Sequence, residues 1–147
     1  MLYMILKHAH SGFRWLVLLF LLVAIVNGLR NWKGTRPVGD AERKMNLFAL
    51  IFTHIQFLVG LVLYFISSKV VFSGESMKIA MNRFFLVEHP FLMIIAIALI
   101  TIGYSRAKRA DNPGLASRRV FWFYLIGLVL ILAGIPWPSK GFGTAWF

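Results

Sequence analysis

Read for hydropathy alone, the chain divides into four apolar runs separated by short polar stretches. The first covers about Tyr3 to Leu29, the second about Met45 to Ile66, the third about Phe84 to Tyr104 and the fourth about Val120 to Ile135, with Pro136-Trp137-Pro138 as its interfacial end. Crossing the hydrocarbon core takes about 20 helical residues, and the first three runs meet that length unaided. Leu, Ile and Phe fall on every side of each run. A lipid-facing helix has that pattern, whereas a barrel strand alternates apolar and polar residues. The expected architecture is all-α: an integral membrane four-helix up-down-up-down bundle, with helices at about 3–29, 45–66, 84–104 and 120–136 in a single transmembrane domain over residues 1–147. The first run is too long for the apolar core of a signal peptide and has no small-residue cleavage pattern behind it, so it is expected to be a retained helix.

Composition agrees. Of 147 residues, 59% are hydrophobic and 14% charged, against about half and one quarter in soluble domains. The net charge of +11 would suggest nucleic acid in a soluble protein. Here the basic residues lie between apolar runs, where anionic headgroups and the orientation rule account for them, and no nucleic-acid partner is expected. There is no Cys, which removes disulfides, thiolate metal sites and Cys nucleophiles.

The basic residues also suggest a topology. Arg30, Lys33, Arg36, Arg43 and Lys44 lie between the first two runs, and Arg106, Lys108, Arg109, Arg118 and Arg119 between the last two. The middle connection carries Lys69, Lys78 and Arg83, and the tail Lys140. The richer connections are expected inside, leaving both termini outside. Asp40 or Glu42 is a candidate cap for the second helix, Asp111-Asn112-Pro113-Gly114 a turn, and the connection from Ser67 to Arg83 a candidate for the outer interface. The tail from Gly141 reads as irregular, with aromatics suited to the headgroup zone. Gly60, Gly103, Gly127 and Gly134 are expected to admit close helix approach. Trp15, Trp32, Trp122 and Trp137 are expected in interfacial belts.

The candidate chemistry lies in polar residues inside these runs, where ionisable groups are costly and point to function when partners exist at the same depth. His8 and His10 are two apart and face different ways, while His10 and Arg14 are four apart and share a face. His89 lies five residues into the third run, at matching depth. Helices one and three of such a bundle are diagonal neighbours, so His10 and His89 can face each other across it. Two neutral imidazoles on opposite sides of a macrocycle, held by rigid helices, are what a b-type haem requires. His10 and His89 are therefore the expected iron ligands, and Arg14 the expected propionate partner. Glu88 is expected either to pair with Arg14 or to accept from an imidazole, and Pro90 to bend the helix beside His89. His54 lies nearer the membrane middle. It is a candidate alternate ligand, a quinone-binding residue, or a proton relay with Gln56 and Thr53. A copper or other metal site built from His8, His10 and His89 is a further possibility, since imidazole also suits those ions. A third is a non-catalytic accessory role in a larger membrane complex, with the polar groups paired to a neighbouring subunit. No Walker, dinucleotide-binding or zinc-protease motif is present.

The motif His8-x-His10-Ser11-Gly12-x-Arg14-Trp15, then Thr53-His54-x-Gln56-Phe57 with Gly60, then Glu88-His89, and finally Leu132-Ala133-Gly134-Ile135-Pro136-Trp137, resembles a family of small four-helix bacterial membrane proteins labelled cytochrome b. The chain also shares the general plan of the four-helix cytochrome b561 group, in which His pairs hold two haems. Helix four here has no His, so the resemblance implies one haem. It further implies electron transport with quinone or a redox protein as partner, other membrane subunits as further candidates, and a multi-pass location in the bacterial inner membrane.

Overall fold

The computed structural model describes residues 1–142 and 144, and among them all regular structure is helical. Four helices are long and apolar enough to cross a membrane: α1 (Leu2–Arg30), α2 (Asp40–Ile66), α3 (Ala80–Lys108) and α4 (Pro113–Gly134). A lipid bilayer is the environment they suit, and the fold is that of a multi-pass membrane protein. Helix α1 packs against α2 and α4, α3 packs mainly against α4 and more thinly against α2, and α1 and α3 occupy one diagonal of the bundle. Of the tail, Gly143 and Ala145 to Phe147 lie outside the described residues.

Three helices begin earlier than hydropathy suggests, at Asp40, Ala80 and Pro113 rather than near 45, 84 and 120. An apolar window misses their first turns, and for α4 and α2 local hydrogen bonds mark the start. For α4, the Asn112 side chain accepts from the Leu115 amide at 2.8 Å and Pro113 occupies the first turn, both familiar helix-initiating features. The Asp111-to-Gly114 stretch is thus a helix start rather than a free turn. For α2, the Glu42 carboxylate accepts from the Gly39 amide at 3.1 Å and holds Arg36 through two further bonds of 2.6 and 3.1 Å. That ties the first connection to the helix it precedes. The same connection crosses the start of α4 at Gly34, whose φ of +68° favours glycine and whose missing Cβ leaves room for the backbone of Gly114.

The interior is small. Leu21, Ala24, Ile100 and Tyr124 are fully buried, with Val17, Val120 and Ile131 around them. Lipid tails are as apolar as these side chains, so close packing rather than water exclusion holds the helices together. The four glycines serve that packing. An added Cβ would meet Ile100 at Gly127, Phe123 at Gly103, Met93 at Gly134 and the His10 ring at Gly60. Two tryptophan pairs mark opposite ends of the bundle: Trp15 with Trp137, ring centroids 6.4 Å apart, and Trp32 with Trp122, 6.2 Å apart.

Helix α3 contains one irregular turn. From Phe84 to Glu88 it widens to a π-helical turn, in which the His89 amide bonds the Phe84 carbonyl. Pro90 has no amide to give the Leu86 carbonyl, and the Tyr64 hydroxyl of α2 donates to that carbonyl instead, at 3.0 Å. The expected bend beside His89 is thus a widened turn with its loose carbonyl capped from the next helix. Tyr64→Phe leaves that acceptor without its donor. We expect a loss of about 1–2 kcal/mol, read as a lower thermal unfolding temperature in detergent.

Candidate functional site

At the end of the bundle where α1 begins and α4 stops, His10 of α1 and His89 of α3 face each other. Their ring centroids are 6.3 Å apart and the rings are inclined by 74°. They lie together across the α1–α3 diagonal, where equal depth along the two helices brings them. His89 is oriented by α4: its Nδ1 donates to the Gly134 carbonyl at 2.7 Å. That carbonyl is available because α4 ends at Gly134 and the residue four further on is Pro138, which has no amide to offer. A carbonyl only accepts, so Nδ1 carries the proton and Nε2 keeps its lone pair.

His10 sits against α2. A Cβ at Gly60 would lie 2.9 Å from its Cε1. Its Nδ1 is buried without a hydrogen bond of good geometry, although the Gln56 backbone is close by. Gln56 also reaches across, its Nε2 donating to the His10 carbonyl at 2.8 Å, and its Oε1 is a second buried atom without a partner. Two buried polar atoms left open beside an imidazole pair are expensive in hydrocarbon.

The cations around the pair come partly from unexpected places. Arg14 lies one turn along α1 from His10, and helical side chains lean toward the N-terminus. Its guanidinium accordingly lies 5.3 Å from the Trp15 ring and 5.8 Å from that of Trp137. Lys140, which sequence reasoning passed over, lies 4.5 Å from the Phe84 ring centroid and donates to the Ala133 carbonyl at 2.8 Å. Phe84 is itself buried against the His89 ring, at 6.0 Å. Glu88 pairs neither with Arg14 nor with an imidazole. It binds Arg83 Nε at 2.7 Å, because the widened turn brings residues five apart onto one row, as it also does for Phe84 and His89.

His54 is not part of this cluster. It projects from the outer face of α2, near the helix midpoint, with Nδ1 donating to the Leu50 carbonyl at 2.8 Å. It lines an apolar groove between α2 and α3 with Phe57, Leu58, Ile97 and Ile102. It lies apart from the His10–His89 pair and is joined neither to Gln56, which turns inward, nor to Thr53, whose hydroxyl bonds the Ala49 carbonyl. His8 is exposed on another face of α1, so the three-histidine metal site is not assembled. Among the described residues no group of three His, Cys, Asp or Glu side chains is placed to hold a metal ion. What the site offers is a pair of imidazoles.

The molecule is thus a four-helix membrane protein with a partly buried imidazole pair at one end. Compared with protein families, curated proteins and solved structures, the chain matches none.

Proposed function

We propose that His10 and His89 are the axial ligands of one b-type haem, and that the protein passes single electrons between the quinone pool and an outer-side or membrane partner in a bacterial inner membrane. The observation that carries this reading is the 6.3 Å separation of the rings. Two imidazole nitrogens holding one metal ion would set their ring centres about 6 Å apart, at metal–nitrogen distances of about 2 Å as in other imidazole sites. The hydrogen bond from His89 to Gly134 supports it, since metal-bound histidines characteristically give their second N–H to a carbonyl or carboxylate. Gly60 and Gly134 flank the pair on the two helices that carry no ligand, and Arg14 and Lys140 are the cations suited to propionates. When bound, such a group supplies a one-electron couple whose potential depends on its ligands and burial. The chain's own residues orient the imidazoles, exclude water and neutralise charge. Acid–solvent extraction of the purified protein is expected to release one haem per chain, and haem-free protein from haem-replete cells would contradict the reading.

In this account His54 offers its Nε2 as acceptor for a quinol hydroxyl reaching the α2–α3 groove from the lipid. His54→Ala is expected to leave the haem spectrum intact and to slow reduction by a quinol about tenfold, the loss of about one hydrogen bond to a lipid-facing acceptor. Stopped-flow reduction of the variant checks this, and an unchanged rate removes His54 from the quinol path.

A further inference from the structure

A second site lies at the opposite end of the bundle, where the two basic connections meet the helices. We infer that it binds a phosphate-ester headgroup that also carries a hydroxyl or ammonium donor. This inference does not rest on the proposed haem.

A cavity of about 490 Å³ opens there between the end of α1, the start of α2, the end of α3 and the start of α4, within the range of small-molecule sites. Its wall combines the side chains of Asn27, Asn46, Tyr104 and Ser117 with Arg43 and Lys108. Asn46 is the informative residue. Its main-chain carbonyl accepts from the hydroxyl of Tyr124, a fully buried residue, at 2.8 Å, which fixes α2 at this point. Its side-chain Oδ1 is buried and has no partner. An acceptor left open in a polar cavity selects an occupant that brings a donor. Lys108 and Arg43, the latter 4.0 Å from the exposed Asp40 carboxylate, select an anionic group, at the depth where lipid headgroups lie.

The acidic neighbours narrow the class. Glu42 is occupied by Arg36, and Asp111 also lines the cavity. A bare anion would meet Asp111 and the open Oδ1 unfavourably. An ester whose phosphate lies toward Arg43 and Lys108, with its hydroxyl or ammonium toward Asn46 and Asp111, satisfies both. Phosphatidylglycerol and phosphatidylethanolamine have that chemistry. Phosphatidylcholine has the phosphate but no donor.

Intact-protein mass spectrometry of the full chain in detergent, after lipid removal, tests this. Phosphatidylglycerol, phosphatidylethanolamine and phosphatidylcholine of equal chain length are added separately, as are soluble glycerol 3-phosphate and phosphoethanolamine. One-to-one adducts of the first two lipids are expected, with phosphatidylcholine retained about tenfold less, the cost of an unmet acceptor. Retention of the lipids alone assigns the site to a membrane lipid. Retention of the soluble esters as well assigns it to the headgroup from either source. Asn46→Leu keeps the main-chain carbonyl that Tyr124 bonds, and is expected to abolish the discrimination against phosphatidylcholine. Lys108→Gln, on the rim, is expected to weaken all phosphate binding without altering helix content. Equal retention of all three lipids, retention of none (a cavity filled by water only), or discrimination surviving in Asn46→Leu would overturn the inference.

Discussion

Replacing either His10 or His89 by alanine is expected to abolish the low-spin haem spectrum, and His8→Ala to leave it whole. The effect should be all-or-none because each imidazole has no stand-in. His8 is exposed on a different face of α1, and His54 projects from the far side of α2. Glu88, the carboxylate beside His89, is held by Arg83. Loss of one ring from a pair only 6.3 Å apart leaves one axial position without a protein ligand. The check is the absorption spectrum of each variant after purification, with helix content measured on the same sample. Loss of the spectrum in His54→Ala with retention in His89→Ala would show that the wrong pair has been chosen.

Gly60→Val is expected to have nearly as large an effect by a different route. Its Cβ alone would lie 2.9 Å from Cε1 of His10, inside ordinary van der Waals contact, and two methyl groups would follow. The ring faces His89 on its other side, so relieving the clash displaces the ligand or pushes α2 off α1. Overpacking of this kind costs about 1–3 kcal/mol. We expect most of the haem to be lost while the helices persist, read as a fall in haem-to-protein ratio at constant circular dichroism. Gly12→Ala is the matched control. Nothing lies within 4 Å of a Cβ there, and a glycine-to-alanine change inside a helix should stabilise by about 0.5–1 kcal/mol.

Much of this architecture is legible from residue order. Four apolar runs of sufficient length specify the bundle, and up-down topology with His10 and His89 at equal depth brings the rings to one diagonal. Helix starts are not legible from hydropathy, because Asn112 and Glu42 set them through hydrogen bonds that an apolar window does not register. The partner of Glu88 was unreadable for a related reason. A widened turn over Phe84 to Glu88 changes which residues share a row, and it comes from packing around Pro90 and Tyr64 rather than from a local motif. Gly134 and Lys140 join the site through contacts with residues some fifty positions earlier, which spacing within a helix cannot reveal. His54 shows the limit most plainly. Counting gives its depth, but the face it occupies depends on how α2 is rotated against α1, and that rotation turns Gln56 and Gly60 toward His10 and His54 away from it.

On this reading the His10–His89 pair binds haem iron. The most direct measurement is the reduced-minus-oxidised absorption spectrum of the protein purified from haem-replete cells. The account predicts a red protein with the sharp bands of a six-coordinate, low-spin b haem. A colourless protein with full helix content would contradict it.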